Sequence, residues 1–157
     1  HTAQKSFFIN WRQLMGTTYD VIYDRFLTKI TDFFILELDD NDVREWCYDL
    51  MLSAIATFPV INHDFGNLMN DYEACFNEEL SNIEVEYLAC GMVYQWVVPQ
   101  LNNTTLTKQY IGTKDEKFFS QSGQITQLRE LQNDNLARTK KIRRDYNYRN
   151  SGYFNDN

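Results

Sequence analysis

Apolar residues recur at three- and four-residue spacing in several stretches of the chain, and this pattern predicts helices. In the first stretch Tyr19, Ile22, Tyr23, Phe26, Leu27, Ile30 and Phe34 form one stripe, behind a cap at Thr17 or Thr18. Asp20 and Asp24 lie near its start, where acids favour the helix dipole. In the second stretch Val43, Trp46, Cys47, Leu50, Met51, Ala54, Ile55 and Phe58 form the stripe, and Pro59 ends it. The third, Ser81 to Gln100, is different. Beyond Ala89 and Gly91, only Glu84, Glu86 and Gln95 interrupt the apolar run that begins at Ile83. A helix apolar on most of its surface has to be surrounded by protein, so this one is expected at the centre. Ser81 and Glu84 have the spacing of a capping box, and Pro99 is expected to stop or kink the helix. The last stripe is thin: Ile125, Leu128, Leu131, Ile142 and Tyr146, with polar residues between. It predicts a helix from near Ser120 or Ser122 to about Tyr148, nearly 40 Å long at about 1.5 Å per residue. So polar a helix is expected to project from the core and pack on another chain.

The intervening segments read differently. Residues 1–16 carry Phe7, Phe8, Ile9, Trp11, Leu14 and Met15 and read as an apolar arm, covering either the domain's own core or a partner. Phe33 to Leu38 is apolar and reads as extended. Asp39-Asp40-Asn41-Asp42 resembles the start of a calcium loop, but the sixth position is Arg44 where glycine is required. A helix cap with first-turn acids is the better reading. Residues 60–80 are irregular, with a weak helical pattern in Leu68 to Phe76. Residues 101–120 are polar and threonine-rich and predict a long loop, a kind of segment that is usually functional. Lys108, Tyr110, Lys114, Phe118 and Phe119 are its candidate contacts with neighbouring subunits. The expected organisation is therefore an all-α fold. An arm at 1–16 precedes a helical bundle at 17–121 that includes the extended loop 101–120. A docking helix and tail occupy 122–157.

Composition supports helices. The 157 residues are 43 % hydrophobic and include only six Gly and two Pro. No apolar run reaches the ~18 residues that a bilayer span requires, the opening residues lack a signal-peptide pattern, and no membrane partner is expected. Cys47, Cys75 and Cys90 have no C-x-x-C spacing and read as reduced, structural thiols.

Charge changes the picture more. From Leu136 to Asn157 six cations face two acids, a net +4, so the other 135 residues carry −11 of the overall −7. An acidic body with a basic end suits head-to-tail contacts or a layered neighbour better than free DNA binding. The cations Arg138, Lys140, Lys141, Arg143, Arg144 and Arg149, with Tyr146 and Tyr148, are the candidate docking residues. Their spacing rings the helix instead of forming one stripe.

Catalytic signatures are not seen. The phosphate-cradling, dinucleotide and nucleophile-elbow glycine motifs do not occur, and no His/Cys cluster has zinc spacing. His63-Asp64 is the one pair that could orient an imidazole, without a nucleophile motif near it. No enzyme, cofactor or metal is expected.

Several of these segments together resemble a known group. They are Tyr23 to Leu27 (YDRFL), Lys29 to Asp32 (KITD), Leu36 to Leu38 (LEL) and Ser53 to Ala56 (SAIA). The pattern continues with Gly91-Met92-Val93, Trp96, Pro99-Gln100, Phe118 to Gln121 (FFSQ) and Arg144 to Arg149 (RDYNYR). In order and texture the chain resembles the head–tail connector, or neck adaptor, proteins of tailed bacteriophages. The resemblance implies a small helical bundle forming a homo-oligomeric ring, often a dodecamer, beneath the portal protein in the virion. It also implies synthesis in the host bacterial cytoplasm and genomic DNA passing through the ring without sequence-specific binding. Residues 122–157 would then face the portal, and residues 101–120 would meet neighbouring subunits or the next neck or tail-completion protein. Two other readings stand beside it: a tail-terminator or tail-completion ring, and a DNA-binding packaging factor using Arg138 to Arg149.

Overall fold

A computed structural model describes residues 16–30, 39–110 and 115–151, with the side chains of 103–110, 115–122 and 124 outside the description. Among these residues the chain forms five helices and one small hairpin. In order they are α1 (Tyr19–Lys29), α2 (Asp40–Thr57), α3 (Phe65–Leu68), β1 (Met69–Asn70), β2 (Cys75–Phe76), α4 (Asn82–Tyr110) and α5 (Asp115–Asn150). The expected all-α bundle is what forms.

Helix α4 is central, for the reason its sequence suggested. Every residue from Glu84 to Val93 is buried, on all sides of the helix, and α1, α2 and α5 each pack against it. The capping box is made: the Glu84 N–H donates to Ser81 Oγ (3.3 Å), and the Ser81 N–H donates to Glu84 Oε2 (2.8 Å). Helix α1 contributes Tyr19, Ile22, Tyr23 and Phe26 to the core, and α2 contributes Cys47, Met51 and Ala54. Aromatic edges lock the layers, with Phe26 against Trp46 (5.6 Å between ring centroids) and Phe58 against both Tyr87 and Tyr94. Gly91 admits this packing, because a Cβ there would press to 3.0 Å from the Phe58 ring. Asp39 is the N-cap of α2, and Asp40 and Asp42 lie in its first turn, although the Asp39 side chain makes no capping bond. All three cysteines are free and buried.

Three expectations are corrected. Helix α4 does not stop at Pro99 but runs through it to Tyr110, and α5 begins at Asp115, so the loop expected at 101–120 is largely helical. Pro99 is exposed; an exposed proline costs a helix one backbone bond whose acceptor water can satisfy. Extending a helix already nucleated by a buried segment is inexpensive even for polar residues.

The C-terminal helix, 36 residues long, does not stand away from the core over Ile125–Tyr146. Ile125 and Leu128 are buried, and Leu131, Ile142 and Tyr146 pack on the core. Ser81 meets Tyr146 and Glu86 meets Arg138, so α4 and α5 run antiparallel.

Residues 69–76 form a hairpin in place of a weak helix, with Met69 opposite Phe76 and Asn70 opposite Cys75. Thr17 and Thr18 extend it: the Phe76 N–H donates to the Thr17 carbonyl (2.8 Å), and Thr18 bridges Cys75. Apart from Gly16, the expected arm at 1–16, together with the extended segment 33–38 and the tail from 152, lies outside the described residues.

Candidate functional site

Helix α5 sorts its polar residues by direction. Its inner face carries Leu128, Asn135 and Thr139, all buried, then Ile142 and Tyr146. Arg138 turns to α4, where its Nε donates to Glu86 Oε1 (2.8 Å). Lys141 pairs with Asp145 one turn on (3.6 Å), and both are well exposed, so the pair contributes little. Lys140, Arg143, Arg144, Asn147, Tyr148 and Ser151 follow helical spacing along one outer stripe and line a groove of about 530 Å³. Lys140, Arg143 and Arg144 are exposed and make no ion pair among the described residues. Their position near the helix C-terminus also complements the dipole.

The eight residues expected to form one docking patch are therefore divided. Lys140, Arg143, Arg144 and Tyr148 face outward together. Arg138 and Tyr146 tie α5 to α4, and Lys141 is paired within the helix. Arg149 lines a separate cleft of about 300 Å³ between α1, α4 and α5, with Arg25, Ile83, Arg138, Ile142 and Tyr146. The sequence reading of charge all round the helix holds for α5 alone. Packing against α4 consumes one side and leaves a stripe.

Of the five loop candidates, Lys108 and Tyr110 lie on the last turns of α4, and Phe118 and Phe119 on the first turns of α5. Lys114 lies outside the described residues. These positions belong to one end of the helical hairpin, not to a loop of 20 residues.

Two carboxylates of α4 are buried, and one of them, Glu86, holds the basic end in place. Glu86 accepts from Lys29 Nζ (2.6 Å), Arg138 Nε (2.8 Å) and Arg25 Nη1 (3.1 Å), joining α1, α4 and α5. Burial alone would raise its pKa, but Lys29, Arg25 and Arg138 outweigh burial and hold it at about 2. Glu84 is also pulled below the usual range. Burial opposes this, and the Ser81 N–H together with the ring and N–H of His63 overcomes it.

His63 was paired in the sequence with Asp64, but Asp64 instead caps α3, accepting from the Asn67 N–H and Nδ2. The imidazole lies between Glu84 (Nδ1 to Oε1, 2.7 Å) and Glu78 (Nε2 to Oε2, 2.9 Å). With both ring nitrogens engaged, the imidazole ties the 59–64 segment to the start of α4 and has no nitrogen free for a substrate.

Sequence reasoning did not single out Glu86, Arg25 and Lys29. The signal was present: an acid inside a helix apolar on all sides needs cationic partners. Among the described residues, no group of three or more His, Cys, Asp or Glu is placed to hold a metal ion, and no helix is long and apolar enough to cross a membrane. None of the protein-family models, curated proteins or solved structures compared with the chain matches it.

Proposed function

We propose that this chain is a structural subunit of a tailed-phage neck, a ring-forming adaptor that docks on the portal through the C-terminal part of α5. The observation that carries this reading is the outward stripe of Lys140, Arg143, Arg144 and Tyr148 on a molecule whose remaining residues are strongly acidic. Like-charged chains repel at most orientations, and a cationic stripe favours docking toward an acidic protein surface. The resemblance to neck adaptors supplies the identity of that surface, the portal ring. The acidic body suits a DNA conduit, because phosphate attraction would retard a sliding duplex.

A DNA-binding packaging factor is the second reading, and the same stripe favours it: three cations at three- and four-residue spacing on one helix face can follow a phosphate backbone. The deciding experiment is light scattering on a sizing column, with the chain alone and mixed with the portal ring of the same phage. Co-elution at fixed stoichiometry is expected, and a variant carrying Lys140→Glu, Arg143→Glu and Arg144→Glu should lose it. A folded chain that ignores an intact portal would overturn the adaptor reading.

A further inference from the structure

We propose that the hairpin tip Asp71–Ala74 of one copy docks into the arginine-lined cleft between α1, α4 and α5 of a second copy, making a head-to-tail contact. Tyr72 is 94 % exposed at the tip, between Asp71 and Glu73. An aromatic ring so far from the core is unusual where nothing covers it, and tyrosines are enriched where interfaces concentrate binding energy.

The tip is held firmly from behind. Asp71 accepts from the hydroxyls of Tyr19 (2.9 Å) and Tyr48 (3.0 Å), one on each carboxylate oxygen. The Glu73 N–H donates to Asn70 Oδ1 (3.2 Å), and the Ala74 carbonyl accepts from the Tyr19 N–H (2.9 Å). Ala74 takes a left-handed backbone, φ 50°, to close the turn. A side chain displayed on a pinned turn loses little further entropy on binding.

The cleft complements it. Its wall carries Arg25, Arg138 and Arg149 against two carboxylates, Glu86 and Asp145, beside the apolar surfaces of Ile83, Ile142 and Tyr146, in about 300 Å³. Ile83 is 38 % exposed there. Arg25 and Arg138 share Glu86 with Lys29, which does not line the cleft; Asp145 pairs with Lys141; and Arg149 makes no ion pair among the described residues. Three arginines against two carboxylates leave the cleft with a net charge of three minus two, or +1, on an acidic molecule, with apolar surface beside it for the Tyr72 ring and Arg149 to take Glu73. Knob and cleft are different patches of the same chain, so the contact is heterologous and propagates into a ring or a filament. The proposal rests on the self-assembly part of the proposed function and leaves the outer stripe of α5 for its own partner.

The test places the photo-crosslinker benzoylphenylalanine at position 72 in the full chain, mixing isotopically labelled and unlabelled protein so that cross-links between copies are recognised. Expected are cross-links between copies to peptides carrying Ile83, Arg138 or Arg149. Glu73→Arg and Arg149→Glu, both at exposed positions, should each weaken self-association roughly tenfold or more, and their combination should restore most of it. Oligomers that cross-link through any other surface, or that ignore the reversals, would overturn the contact while leaving ring formation standing. A chain that stays monomeric at millimolar concentration would also overturn the contact, whereas the adaptor reading stands or falls on co-elution with the portal.

Discussion

Ala74 and Gly16 show how much the hairpin demands of single residues. The left-handed backbone of Ala74 costs an L residue about 1–2 kcal/mol that glycine avoids. Ala74→Gly should therefore raise stability by about 1 kcal/mol, after the extra freedom of glycine in the unfolded chain is subtracted. Urea unfolding measures this, and a lowered midpoint would mean that the alanine methyl contributes more than the strain costs. Gly16 is the opposite case, because a Cβ there would overlap the carbonyl oxygens of Phe76 and Glu78. Both obstacles are backbone, and the Thr17 N–H already bonds the Glu78 carbonyl (3.2 Å). Gly16→Ala should cost about 3 kcal/mol, and an unchanged midpoint would mean that the Thr17–Thr18 edge detaches at little cost. Neither effect was legible in the sequence: nothing local marks an alanine as left-handed, or a close approach between residues 60 positions apart.

At the scale of elements, α5 is held to α4 by an apolar stripe with a polar gap. Between Leu131 and Ile142 the buried positions are Asn135 and Thr139, and both satisfy their side chains on carbonyls of their own helix. The Glu86 cluster bridges that gap. Glu86 has a folded pKa of about 2 against about 4.3 when unfolded. Because the folded value is the lower one, its stabilisation is fully present above the unfolded value and is lost as the pH falls toward 2. Glu86→Gln should destabilise the neutral protein by about 2–3 kcal/mol, and the gap to wild type should close on acidification through that window. Urea midpoints at neutral pH and near pH 2.5 measure this; a gap that stays constant would show that packing, not charge, holds the helix. The helices themselves were legible because burial on one face writes a period into the sequence, and the central helix was legible because burial on all faces erases it. The extension through Pro99 to Tyr110 was not legible. Its residues have no apolar stripe to report, and Pro99 reads locally as a helix stop. The outward stripe of α5 was legible only as composition. Which cations remain free depends on Arg138 reaching Glu86, a contact across 52 residues.

At the scale of the whole molecule, the question is whether the basic end reads protein or DNA, and salt dependence separates the two. Each phosphate neutralised on duplex DNA contributes about −0.9 to the slope of log affinity against log salt. Lys140, Arg143 and Arg144 are the outward cations of the stripe, while Arg138 is engaged by Glu86 and Lys141 by Asp145. If the stripe alone meets phosphate, the slope for the free chain should be no steeper than about −3, and the acidic remainder of the molecule should keep binding weak. Fluorescence anisotropy with a labelled duplex over a range of potassium chloride concentrations gives that slope. The triple reversal at Lys140, Arg143 and Arg144 should flatten it and should abolish portal co-elution in the same preparation, because both readings rest on the same stripe. A slope near −6 or steeper would require cations beyond the stripe and place the chain with the packaging factors. A shallow slope with portal binding lost in the reversal variant would fit a subunit whose basic face is occupied by protein and whose acidic surface is turned to the passing genome.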